Sequence, residues 1–179
     1  MNFIQGGELF VLLRREKKFN EKRAKFYVAQ ITMAINYLHS NGVIYRDLKP
    51  ENILIDTQGV IKIMDFGLGM PVRAGVAIEA PGYLSPEQLQ AREPDSRADF
   101  YSFGAVVYTM LTGNLPFPGS SADEIRRKMA EGVPEAPTSV VADIPPKLEQ
   151  IILKCLSIAP DQRYSSAEEL LRDLDEVTV

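Results

Sequence analysis

Residues 95–113 constrain this chain more than any other stretch. Phe100, Phe103, Ala105, Val106, Val107, Met110 and Leu111 cover most of the circumference of a helix. A helix that is apolar nearly all round belongs in the middle of a protein, because every face turned to water exposes apolar surface. Ser96 occupies the N-terminal cap position and Gly113 supplies the stop. Asp99 is the polar exception, near the positive end of that helix. The dipole alone would favour an acid there.

The other helices read as one-sided elements suited to surround a buried one. Asn20 caps a long helix whose Ala24, Val28, Ile31, Ile35 and Leu38 recur at helical spacing, and Asn41-Gly42 ends it. Residues 146–156 turn Leu148, Ile151, Ile152 and Cys155 inward, and Ser165-x-x-Glu168 opens a last helix carrying Leu170, Leu171 and Leu174. Ser121-x-x-Glu124 opens another that ends near Gly132, Glu8 opens a short one through Arg15, and residues 133–146 read as a proline-rich loop. A chain of 179 residues suits one domain with a core of this kind. Its formal charge of -4 offers no basic footprint for nucleic acid or an anionic membrane. No apolar run approaches a membrane span, and the N-terminus lacks a signal-peptide pattern. One cysteine, Cys155, excludes an intramolecular disulfide and sits in an apolar helical pattern, which makes it a buried structural thiol and fits a reducing compartment. The expectation is a cytoplasmic protein. His39, the lone histidine, lies at a helix end and reads as a packing or capping residue rather than a catalytic one.

Against this apolar background, Tyr45-Arg46-Asp47-Leu48-Lys49-Pro50-Glu51-Asn52 concentrates polar chemistry. Asp47 can accept a proton from a hydroxyl, and Lys49 can neutralise a phosphate oxygen. Asn52 and, further on, Asp65 in Asp65-Phe66-Gly67 offer hard oxygen ligands to a small divalent cation. Val43-Ile44 reads as a short strand leading into the stretch. Residues 53–56 and 60–64 read as a hairpin across the Thr57-Gln58-Gly59 turn.

The spacing Y-R-D-x-K-P-E-N followed by D-F-G resembles the catalytic and metal-binding loops of serine/threonine protein kinases, with Tyr45 where many members carry His. The resemblance runs over the whole chain and implies a mainly α fold, the C-terminal lobe of a kinase, with a small β-hairpin carrying the two loops. It implies a hinge at 1–6, a catalytic loop at 45–52, a metal-binding loop at 65–67 and an activation segment at 65–87. The reaction implied is transfer of the γ-phosphoryl group of ATP to a protein hydroxyl, with Mg2+ as the metal. By that resemblance Asp47 and Lys49 are catalytic, and Asn52 and Asp65 hold the metal. Ile4, Glu8, Glu51 and Leu54 contact nucleotide or substrate, Leu54 lying beneath the adenine or simply facing the core. Arg46, Gly67, Glu87, Asp99 and Arg163 are supports. Glu87 of Ser85-Pro86-Glu87 would pair with Arg163, and Asp99 would accept hydrogen bonds from the catalytic-loop backbone.

Several features depart from the family pattern. The sequence holds no glycine-rich phosphate loop, no strand lysine and no helix glutamate to pair with it, so the N-terminal lobe is expected to be absent. Losing one preorganised electrostatic donor typically costs about 2.7–4 kcal/mol in barrier. Little or no activity is therefore expected of the chain alone. Between Leu68 and Leu84 there is no Ser or Thr, so Arg46 lacks a phosphate partner and Glu79 is the candidate fixed charge in its place. Ala80 stands where a hydroxyl would touch Asp47 and Lys49, whereas Lys49 itself favours the serine/threonine subclass.

The front of the chain, with Gly6-Gly7-Glu8-Leu9-Phe10, resembles the cyclic-nucleotide-dependent kinases. The rear, from Tyr83-Leu84-Ser85-Pro86-Glu87-Gln88 through residues 144–174, resembles bacterial serine/threonine kinases. A chain cut or recombined on purpose and a divergent natural fragment both explain this. Glu8 and Glu51 favour basic substrate residues, while Arg126-Arg127-Lys128 reads either as a solvated face or as the reverse preference. The implied partners are a protein substrate and an N-lobe, or self-association through the apolar upper surface at Met1, Phe3, Ile4 and Leu54. The rival functional readings are a non-catalytic folding or docking module and a nucleotide sensor.

Overall fold

The computed structural model describes residues 6–64 and 80–177. The apolar helix is α4, Arg97–Thr112, and every residue from Ala98 to Thr112 except Thr109 is buried. It is enclosed by α2 (Glu21–Ser40) and α7 (Pro146–Cys155), and α8 (Ala167–Asp175) packs on both of those. Small residues let the α4–α7 pair approach closely. A Cβ built on Gly104 would sit 2.7 Å from the Cβ of Cys155. At the end of α4, Gly113 takes φ +78 and its N–H returns to the Thr109 carbonyl at 2.9 Å. That left-handed conformation suits glycine.

The start of α4 differs from expectation. Ser96 makes no side-chain cap, and the Asp95 carboxylate accepts the Arg97 N–H at 2.9 Å. Helix α8 also starts one residue later than Ser165-x-x-Glu168 implies. Ser166 accepts the Glu169 N–H at 3.3 Å, and Glu169 returns a carboxylate oxygen to the Ser165 N–H at 2.9 Å. Two overlapping Ser-x-x-Glu matches occur there, and the later one puts Leu170 fully inside. Helices α3 (Pro86–Leu89) and α5 (Ala122–Glu131) lie before and after α4 in the chain, and the proline-rich stretch carries a short helix α6 (Pro137–Val140), whose Thr138 N–H is held by Glu149 at 2.7 Å.

A small antiparallel sheet lies at one end. Strands β1 (Gly6–Glu8), β2 (Ile53–Asp56) and β3 (Ile61–Ile63) run in that order, with Gly7 opposite Ile55 and Ile53 opposite Ile63. The hairpin is thus joined by a third strand, Gly6–Glu8, which the residue pattern did not single out as one. The turn is closed by Asp56, whose Oδ1 accepts the Gln58 and Val60 N–H groups at 2.9 Å each. Val43-Ile44 is not a strand. Backbone N–H groups there are used elsewhere: that of Val43 goes to the Leu38 carbonyl at 2.9 Å and that of Tyr45 to a side chain of α4. Helix α1 (Leu9–Glu16) follows β1 directly and buries Leu9 and Leu13.

Candidate active site

The 45–52 loop is tied to the buried helix by one carboxylate. Asp99 is completely buried, its Oδ2 accepts the Tyr45 N–H at 2.8 Å, and its Oδ1 accepts the Arg46 N–H at 2.7 Å. His39 Nε2 approaches the same Oδ2 at 2.7 Å, with its ring edge-on to Phe100 at a centroid distance of 5.4 Å. Three groups from two other elements therefore satisfy this buried charge, the condition under which such a charge is tolerated. Arg46 adopts φ +69, an unfavourable region for a residue with a Cβ. Its carbonyl accepts the Gln88 side-chain N–H at 2.7 Å, so Arg46 is held on both sides of its strained backbone.

Beyond Arg46 the polar side chains converge. Lys49 Nζ lies 3.1 Å from Asp47 Oδ2, and Asn52 Nδ2 donates to the same oxygen at 2.9 Å and to the Asp47 carbonyl at 2.8 Å. Pro50–Asn52 form a single 3-10 turn, closed by the Asn52 N–H on the Lys49 carbonyl at 3.0 Å. Proline at its first position presets that turn. Asn52 is then fixed from the sheet side, because the Met64 N–H donates to its carbonyl at 2.9 Å. The Tyr45 hydroxyl donates to the Met64 carbonyl. Both hydrogen bonds fix the residue that precedes Asp65 in sequence.

Asp65, Gly67, Ile4 and Glu79 lie outside the described residues. The site as described contains Asp47, Lys49 and Asn52, with Glu51 beside them. Burial raises the Glu51 carboxyl above its ordinary range, only partly offset by a backbone hydrogen bond and by Lys49. One of its oxygens is buried and has no hydrogen-bond partner. Glu8, Leu54 and Lys62 face one another across the three strands, so these side chains share one side of the sheet. Leu54 is half-buried there and Glu8 is exposed. Asn52 spends its side-chain amide hydrogens on Asp47, leaving the side-chain oxygen Oδ1 as the atom it can offer a cation. That oxygen and the Asp47 carboxylate are the hard donors magnesium prefers. No cluster of three or more His, Cys, Asp or Glu suited to a metal occurs among the described residues.

The Ser85 segment is anchored to the helical base. Arg163 forks onto Glu87, Nη1 to Oε1 at 2.7 Å and Nη2 to Oε2 at 2.9 Å, and donates further to the carbonyls of Ser157, Ile158 and Arg97. Burial pushes the Glu87 carboxyl up, but the Arg163 hydrogen bonds and charge outweigh it and hold it below its ordinary value. Arg46 is not left without a counter-charge, since its guanidinium meets exposed Glu93 at 3.1 Å. Three residues joined to this network were not singled out for it by sequence reasoning: His39, Glu93 and Gln88. Gln88 carried a legible signal, the Ser85-x-x-Gln88 capping spacing, and its Oε1 does accept the Ser85 N–H at 3.1 Å. In the basic run, Arg126 donates to the Leu89 carbonyl at 2.6 Å, and Arg127 and Lys128 pair with Glu131 and Glu124 of their own helix. Cys155 is fully buried, which raises its thiol well above the ordinary range.

A family model described as protein kinase domain matches residues 1–174. A probable serine/threonine-protein kinase of Clostridium acetobutylicum is 34% identical over 99% of this chain and 28% of its own length. The cAMP-dependent protein kinase type 3 of Saccharomyces cerevisiae is 39% identical over 88% of this chain and 40% of its own. The serine/threonine-protein kinase PknB of Mycolicibacterium smegmatis is 34% identical over 97% of this chain and 29% of its own. The chain thus spans less than half the length of each of these relatives.

Proposed function

We propose, from the premise that this chain belongs to the protein kinase family, that it is the substrate-side catalytic lobe of a serine/threonine protein kinase. The reaction is transfer of the γ-phosphoryl group of ATP to a protein hydroxyl. The observation that carries the reading is the convergence of Lys49 and Asn52 on the single Asp47 oxygen Oδ2, at 3.1 and 2.9 Å.

Asp47 orients the acceptor hydroxyl and takes its proton, which leaves the oxygen free to attack phosphorus. Lys49 stands at hydrogen-bond range of the same carboxylate and neutralises charge on the phosphoryl group in transit. Asn52, with Asp65, holds magnesium, which when bound neutralises phosphate charge. Glu8, Leu54 and Ile4 meet the nucleotide, and Glu51, whose half-buried carboxylate is short of hydrogen bonds, receives a basic substrate group or the ribose. Asp99, Arg46 and Gly67 hold the loops, and the Glu87–Arg163 pair holds the activation segment to the base. The domain limits of that assignment are a hinge at 1–6, a catalytic loop at 45–52, a metal-binding loop at 65–67 and an activation segment at 65–87.

Positioning ATP from its other side requires an N-terminal lobe, and in its absence little or no turnover is expected. The test mixes the 179-residue chain with a separately made kinase N-lobe and labelled ATP-magnesium, using a basic peptide as acceptor. Transfer that disappears in Asp47→Asn supports the assignment. Absence of transfer, with Asp47→Asn and parent alike in calorimetric ATP-magnesium titration, rejects it.

A further inference from the structure

Helix α2 has two apolar faces. One is buried against α4 and α8. On the other, Lys22, Phe26, Ala29, Met33, Tyr37 and Ser40 follow one another at steps of four, three, four, four and three residues, and all are exposed. That spacing places them on a single stripe along the helix. Phe26, Met33 and Tyr37 are 53%, 64% and 71% exposed. Phe26 rests on the hairpin turn, its ring 3.5 Å from where a Gly59 Cβ would stand, and exposed Val60 follows in that turn. Side chains of this size present ~150–250 Å² each. The patch therefore amounts to on the order of 400 Å², the size at which an exposed apolar patch on a monomer is often functional.

We propose that this stripe is a two-fold interface, in which α2 packs antiparallel on α2 of a second copy of the chain. The stripe matches itself when reversed. Phe26 meets Tyr37 of the second copy and Tyr37 meets its Phe26, while small Ala29 lies opposite bulky Met33. This reciprocity, in which residue i meets j and j meets i, is what a two-fold contact requires. The ends are complementary in charge as well. Lys22 has no ion pair among the described residues, and reversal brings its ammonium to the C-terminal turn of the opposing helix at Ser40 and Asn41. Carbonyl groups concentrate negative potential at such an end. Two such faces bury on the order of 800–1,000 Å², the range of weak, concentration-dependent association. The contact is separate from the upper surface at Leu54 and independent of the phosphoryl-transfer assignment.

Sedimentation equilibrium of the full 179-residue chain, from micromolar to millimolar concentration, tests the interface. The expected result is a monomer–dimer equilibrium that Met33→Glu weakens roughly tenfold or more, because the dimer would bury an unpaired carboxylate. Ala29→Arg should do the same, and Leu54→Glu should not. Both stripe positions are exposed, so circular dichroism should show both variants folded. Mild oxidation of a mixture of Phe26→Cys and Tyr37→Cys chains should join unlike chains and leave each variant alone uncrosslinked, Cys155 being buried. A strict monomer at millimolar concentration, as when another protein or a further segment covers the stripe, overturns the proposal. So does a dimer indifferent to Met33→Glu, or Phe26→Cys crosslinking to itself.

Discussion

Arg163 and Glu87, 76 residues apart, form a two-pronged ion pair in which the arginine side chain is 0% exposed. Removing one partner leaves the other charge buried, which typically costs about 3–5 kcal/mol. Glu87→Ala is expected to lower the thermal midpoint sharply. Arg163→Lys should also be destabilising, because an ammonium cannot reproduce the fork or reach the three carbonyls that Arg163 serves. Thermal denaturation of both variants by circular dichroism is the check. A Lys variant as stable as the parent would contradict the argument.

Asp99→Asn keeps the shape of the side chain but replaces one accepting oxygen with an NH2 group facing backbone N–H donors. Hydrogen bonds to charged groups contribute roughly 1.5–3 kcal/mol each. A stability loss of that order is expected, together with faster amide exchange at Tyr45 and Arg46, the two N–H groups Asp99 accepts. Unchanged protection at those two amides would remove Asp99 as the tether of the loop.

Gly104→Ala should destabilise although alanine is the better helix former. The added methyl would meet Cys155 Cβ at 2.7 Å and Leu156 Cγ at 3.2 Å. Overpacking of this kind costs about 1–3 kcal/mol, more than the helix propensity returns. Urea denaturation of the variant measures it directly.

The Glu169 carboxyl is lowered to about 2, first by the hydrogen bond from Lys154 and then by the Ser165 N–H. Its folded value lies below the ordinary 4.5. The stability it contributes is therefore complete above about pH 4.5 and is lost as the pH falls toward 2. Glu169→Gln should lower stability at neutral pH and flatten the acid limb of the stability curve. Thermal midpoints measured for both proteins between those pH values test it, and parallel acid limbs would count against the assignment.

Residue pattern by itself determined that α4 is central, that α2, α7 and α8 each bury an apolar face in the surrounding core, and that a carboxylate, an ammonium and an amide crowd into residues 47–52. Periodicity reports which side of an element avoids water, and a short loop confines its own side chains. It could not show that Gly6–Glu8 would pair with β2, because a three-residue strand carries no period of its own and forms only against a partner. Nor could it show that Val43 and Tyr45 would give their N–H groups away rather than form a ladder, or which of two overlapping Ser-x-x-Glu matches would start α8. The Glu87–Arg163 and Asp99 ties were legible only through family resemblance, since residue type alone does not choose a partner 53 to 76 positions away. His39, Gln88 and Glu93 joined the network only once the helices were packed. The physical reason is common to all of these. Local pattern fixes which groups must be buried or hydrogen-bonded, whereas packing of distant segments decides which group meets that demand.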